Sequence, residues 1–215
     1  MLLEQVKIVI PARRNSKGLP FKNRSLISKV IDEIPEEIMR NVTISTDDEE
    51  IKSKFSHIKI HHRSEEVSLD TSSTKETLVE CCADFNPEDL IVCLYTTYPE
   101  RTWESVLSSI DFFRSNNCKS LLCKKEPEVS PFLMMFEQEG NRGRQIIKHN
   151  LYRRQDYPKC FEISHFIIIF LKKELDKLNN NLYNEDTLFF PIDECIDVDT
   201  KEDLEKYNEK NKNNC

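Results

Sequence analysis

Val6-Lys7-Ile8-Val9-Ile10-Pro11-Ala12-Arg13-Arg14-Asn15-Ser16-Lys17-Gly18-Leu19-Pro20-Phe21-Lys22-Asn23 is the stretch that decides the fold. Val6–Ile10 is a compact, largely apolar run that stops at Pro11, as a buried first strand does. Beyond it a basic loop with one glycine and two prolines leaves the strand at its carboxyl end. In open α/β sheets that edge is where ligands bind. Arg13, Lys17 and Lys22 can address an anion there, and Gly18 permits close backbone approach. The loop lacks the glycine spacing and the Lys-Ser/Thr ending of a P-loop. A plain solvated basic loop is the competing explanation.

Working outward, short β-rich runs alternate with helical spacing, which predicts an α/β fold with a mainly parallel sheet. Asn41–Thr46 and His57–His62 are strand candidates on either side of a polar, helix-like Asp47–Lys54. Ser73–Asp84 begins with a capping pattern. Leu90–Tyr95 is a buried strand, Thr102–Arg114 has helical apolar spacing, and Ser120–Cys123 is strand again. Phe132–Phe136 and Gln145–His149, around a Glu137–Arg144 turn, predict a β-hairpin within an arm at 131–165 of one 1–215 domain. Phe166–Leu171 and Ile192–Val198 are the last expected strands, and Lys201–Lys210 a polar terminal helix.

The 215 residues suit one core, with 38% hydrophobic and 32% charged residues. A formal net charge of −7 excludes a general nucleic-acid surface. No apolar run reaches membrane-spanning length, and Glu4 and Lys7 interrupt the apolar start that a signal peptide would need. The eight cysteines contain no CxxC pair and match no zinc pattern. Several lie in apolar runs, so reduced structural thiols and a cytoplasmic location are expected. The histidines form no catalytic pattern.

Asp197 and Asp199 stand two apart in an expected strand, so both carboxylates would share a face. Such a pair suits Mg²⁺ when substrate phosphates and water complete its octahedron. The competing assignment is that Asp199 or Thr200 merely caps the terminal helix.

The loop matches A-R-x-x-S-K-G-x-P-x-K-N, a signature of the CMP-sialic acid synthetase family, at each fixed position. Further segments match in the same order: Ser45-Thr46-Asp47; Arg63 with Asp70-Thr71-Ser72-Ser73; Thr97-Tyr98-Pro99-Glu100-Arg101; Arg154-Gln155 with Pro158; and Ile196-Asp197-Val198-Asp199-Thr200 with Asp203-Leu204. The chain resembles that family along nearly its whole length, with CMP-Kdo synthetase-like enzymes as near relatives. The resemblance implies a three-layer, Rossmann-like nucleotide-diphospho-sugar transferase fold and a hairpin arm that makes a homodimer. It implies transfer of CMP from CTP to a 2-keto sugar acid. Ala12, Arg13, Ser16, Lys17, Lys22, Asn23, Arg63 and Thr74 would hold CTP, with Arg13, Lys17, Lys22 and Asp199 taking part in catalysis. Asp197 and Asp199 would bind Mg²⁺, and Tyr95, Arg154 and Gln155 the sugar acid, Arg154 meeting its carboxylate.

Departures fall on the sugar side. Tyr95 stands where the family has glutamine, and Ser164-His165-Phe166-Ile167-Ile168 lacks the family's glycine and tyrosine. A wall changed by Tyr95, His165 and Ile168 is expected to favour a less hydroxylated tail than that of N-acetylneuraminate, as in a Kdo-like, pseudaminic or legionaminic acid. A nucleotide-binding homologue without catalysis is the alternative of another class.

Overall fold

The computed structural model describes residues 5–16, 18–193 and 195–212. Seven strands form one sheet: β1 (Val6–Pro11), β2 (Val42–Thr46), β3 (Lys59–His62), β4 (Leu90–Cys93), β5 (Ser120–Lys125), β8 (Glu162–Leu171) and β9 (Leu188–Pro191). Their order is β3-β2-β1-β4-β8-β5-β9, and β8 alone runs against its neighbours. Helices α1 (Lys22–Asp32), α2 (Glu49–Lys54), α3 (Thr74–Cys81), α4 (Trp103–Ser115) and α5 (Lys201–Lys212) complete the layers. The architecture is the expected α/β class with a mainly parallel sheet.

Period-two alternation divides the core between the two faces of the sheet. Ile8, Ile10, Val92, Ile167 and Ile169 pack on one face with α1 and α4 residues such as Ile27 and Ile110. Val9, Ile91, Cys93, Ile168 and Phe170 pack on the other with Leu78 of α3 and Leu175. This double coverage explains why β1 and β4 read as apolar runs rather than as alternating strands.

The helix starts reflect local chemistry. Ser73 and Glu76 form a reciprocal capping box on α3, and the Asp48 and Thr102 side chains cap α2 and α4. Phe21, just before α1, has φ 55°, with the Arg24 guanidinium 4.2 Å from its ring centroid.

Two expectations need correction. Among the described residues of the expected strand Ile192–Val198 none is in a strand: the last described one is Leu188–Pro191, paired with β5. One further bond joins Ile192 N to Lys124 O at 2.9 Å, and the chain then crosses the carboxyl edge with no strand beside it. It is held there by Ile196 N on Glu100 Oε2 and by Val198 N on Thr97 O. The hairpin turn is also tighter than expected, with β6 (Met135–Gln138) and β7 (Arg142–Gln145) closing around Gly140 at φ 70° and Asn141 at φ 58°. Polar Glu137, Gln138 and Arg142 join the ladder because main-chain bonds need no apolar side chain.

The described cysteines are free thiols, five of them buried. Among the described residues no helix is long and apolar enough to cross a membrane.

Candidate active site

A cavity of about 380 Å³ opens at the carboxyl edge of β1, β2 and β4. The basic loop supplies Arg13 and Ser16, the start of α1 supplies Lys22 and Asn23, and the end of β3 leads to Arg63. Thr74 opens α3, Tyr95, Thr96 and Thr97 come just after β4, His165 comes from β8, and Asp197 and Asp199 from the irregular crossing. A larger cavity, about 530 Å³, lies between α4 and β9 beside Glu100, Glu104 and Asp193, and receives none of these groups.

The loop is fastened at several points. Asn23 is buried; its amide donates to Arg13 O at 2.7 Å, and its oxygen accepts from the Thr96 hydroxyl. Asn23 therefore fixes the path of the loop against the end of β4. Ala12 is fully buried, and its amide donates to Ser45 O at 2.8 Å. Arg13 pairs with Asp70 at 3.2 Å. Lys17 lies outside the described residues. A Cβ on Gly18 would collide with the backbone carbonyl of Asp199, so the close approach its sequence position suggests is to that segment.

Asp197 and Asp199 reach one cavity without the strand expected of them. Asp199 N bonds to Asp197 O at 3.1 Å, folding a tight turn about the fully buried Val198. Thr200 caps α5: its hydroxyl accepts from Asp203 N at 3.2 Å, and Asp203 Oδ2 accepts from Thr200 N at 2.9 Å. Asp199 is thereby released from helix capping, and its carboxylate pairs with the Lys22 ammonium. Asp197 accepts from Tyr98 Oη at 2.8 Å. Loss of hydration raises the Asp197 carboxyl above the ordinary carboxylate value, donors on Thr97 and Tyr98 oppose this, and the nearby Asp199 adds to it. Two hard carboxylates beside one another, with a lysine in place, are a donor set that a divalent cation with substrate oxygens would complete. Among the described residues no cluster of three or more His, Cys, Asp or Glu side chains suits a metal.

Arg63 is held differently. Its Nε donates to Ser45 O at 3.1 Å and to Ser45 Oγ at 3.2 Å. Burial pushes its pKa down to about 10, leaving it charged near neutrality. Tyr95 and His165 stack at 5.6 Å with 12° between the rings. Beneath them the buried Arg101 donates to Tyr95 O at 2.7 Å and Phe166 O at 2.6 Å, so it supports this wall without entering the cavity.

One sugar-side expectation comes out differently. Ile168 is fully buried and packs in the core, so only Tyr95 and His165 of the expected wall face the cavity. Arg154 and Gln155 sit exposed in a one-turn helix of the arm and do not line the cavity of this single chain. Sequence reasoning missed the Asn23–Thr96 clamp and the Tyr98–Asp197 bond. Both join residues far apart in the chain, and no local spacing signals them.

A basic loop and paired carboxylates thus face one another across the carboxyl edge of an α/β sheet, where such folds bind ligands. The chain belongs to the cytidylyltransferase family, whose model matches residues 7–119. It is 24% identical to post-translational flagellin modification protein B of Campylobacter coli, with 94% of this chain and 93% of that one covered. It is also 24% identical to CMP-N,N'-diacetyllegionaminic acid synthase of Legionella pneumophila, with 91% of each chain covered. Its fold is similar to that of CMP:2-keto-3-deoxy-manno-octonic acid synthetase complexed with CTP, at TM-score 0.67 and 15% identity, covering 98% of this chain and 99% of that one. The chain spans about half, 51%, of the N-acylneuraminate cytidylyltransferase of Streptococcus agalactiae that it also matches.

Proposed function

We propose that this protein transfers CMP from CTP to a 2-keto sugar acid and releases pyrophosphate. The observation that carries this reading is the convergence of Arg13, Lys22, Arg63, Asp197 and Asp199 on one cavity. The C2 hydroxyl oxygen of the acid attacks the α-phosphorus, the α–β phosphoanhydride bond breaks, and the hydroxyl proton leaves to solvent. Positioning and charge neutralisation dominate such transfers. Arg13, Lys22 and, from its place in the sequence of the loop, Lys17 neutralise the phosphates and the departing pyrophosphate, with Ser16, Ala12 and Asn23 shaping the loop around them. Arg63 and Thr74 serve the nucleotide base. Asp197 and Asp199 would hold Mg²⁺, which supplies further charge stabilisation when bound. Lys22 must then exchange Asp199 for phosphate oxygen.

The acid we favour is a diacylamino one whose tail is more deoxygenated than that of N-acetylneuraminate. The Tyr95–His165 wall offers mainly ring surface, since His165 Nε2 is already engaged with Asn181 O at 3.1 Å. The named activity of the Legionella relative supports this choice. With CTP, we expect pyrophosphate release to be fastest with a legionaminic-type acid, ahead of Kdo and N-acetylneuraminate. A strong preference for N-acetylneuraminate overturns the reading of the tail, and release with no 2-keto acid leaves a nucleotide-binding homologue.

We also propose a homodimer through the arm and a cytoplasmic location, the latter supported by the free thiols. Met135 is 59% exposed, and Leu133, Met134, Phe136 and Ile146 are exposed beside it. A patch of this kind marks a contact surface. It is the arm that could carry Arg154 to a neighbouring cavity. Light scattering at micromolar concentration should report a dimer, and a fully active monomer would contradict it.

A further inference from the structure

We propose that His61 and Glu80 are positioning residues that hold Arg63 in register with the nucleotide. This rests on the reading of the cavity as a nucleotide site. Arg63 Nε donates to Ser45 Oγ, so the Ser45 hydroxyl hydrogen is available to the neighbouring His61 Nδ1, 3.0 Å away. An acceptor role at Nδ1 places the proton of the neutral ring on Nε2, and Nε2 lies 3.4 Å from Glu80 Oε1. Glu80 turns the chain of contacts back on itself. Its two oxygens accept from Ser64 N at 2.9 Å and Ser64 Oγ at 2.8 Å, and Ser64 is the residue after Arg63.

The result is a closed ring, Arg63–Ser45–His61–Glu80–Ser64, that grips Arg63 by its side chain at one end and its backbone at the other. Ser45 is fully buried, so it cannot meet a ligand itself, and its contribution passes through Arg63. The two terminal amino groups of Arg63 have no acceptor among the described residues, while the residue lines the cavity. An arginine fixed at Nε with both ends of its fork uncommitted is prepared to bind a planar acceptor edge. Preorganisation of this kind strengthens binding because less side-chain freedom is lost when the ligand arrives.

The test uses the full chain and CTP as the probe, by calorimetry without sugar acid and by steady-state pyrophosphate release. His61→Ala should weaken CTP binding roughly tenfold, the scale of one lost supporting hydrogen bond. kcat at saturating CTP and KM for the acid should stay within about twofold. His61→Asn, whose amide oxygen can occupy the place of Nδ1 and accept from the Ser45 hydroxyl, should recover most of the affinity, and Glu80→Gln should show a weaker form of the same defect. Glu80→Gln also supplies the test if His61→Ala does not fold. Unchanged CTP affinity in the folded variants overturns the relay, as does a loss in kcat with CTP binding intact. Failure of the wild type to bind CTP would remove the nucleotide reading instead, a result distinct from either.

Discussion

Asp199→Ala will lower kcat by roughly 10³-fold while the melting temperature moves little, the scale seen when a preorganised electrostatic contact to the transition state is removed. The carboxylate is exposed and lies in the irregular crossing, so no core packing is lost with it. Its backbone anchors stay: Asp199 N still meets Asp197 O and Asp203 Oδ2. Removal also leaves the Lys22 ammonium without its carboxylate partner. That frees positive charge for the triphosphate, so KM for CTP should stay level or fall while kcat collapses. This opposite movement separates a ligand for the metal from a residue that merely shapes the site. Kinetics across a Mg²⁺ titration, with calorimetric melting of both proteins, will check it. Wild-type turnover at low Mg²⁺ in folded Asp199→Ala would remove Asp199 from the catalytic set.

Gly18→Ala should cost about 10² in kcat/KM, the loss expected when reacting groups are misplaced by around an ångström. The new Cβ would meet the backbone carbonyl of Asp199, which cannot retreat like the tip of a long side chain. Val198 is fully buried and its amide is bonded to Thr97 O at 2.8 Å, so the crossing is pinned. The basic loop must therefore yield, carrying its cations away from the two carboxylates. Stability should change little, because neither the loop tip nor Asp199 belongs to the core. Measuring kcat/KM beside the melting temperature tests this, and wild-type kinetics in Gly18→Ala would show that the loop tolerates displacement.

Strands covered on both faces were legible because burial leaves an unbroken apolar run, as in Val6–Ile10 and Phe166–Leu171. The helix cap at Ser73 was legible because capping is local chemistry. Ile192, Ile196 and Val198 imitated a strand, yet a strand exists only where a neighbour offers its ladder, and past Ile192 none does. The basic loop and the Asp197–Asp199 pair could be picked out in the sequence and line one cavity, although the face-sharing argument used for the aspartates relied on that absent strand. A turn and a helix cap on Thr200 bring them together instead. The ring around Arg63 could not be read, since it joins β2, α3 and the end of β3 through contacts between residues far apart in the chain. Arg154 illustrates another limit: a motif gives a residue's company in the chain, whereas the arm carries this one away from its own cavity.

Lys125 and Glu162 are cross-strand partners in β5 and β8, and their side chains form an ion pair at 3.1 Å. All 36 residues between them, 126–161, thus depart from and return to one rung of the sheet. Closing such an excursion costs only slowly more as it lengthens. The excursion can therefore change in length without moving the strands that carry the cavity residues. Tyr95 and His165 stand outside the excursion, so a change within it alters the arm and leaves the cavity wall where it is.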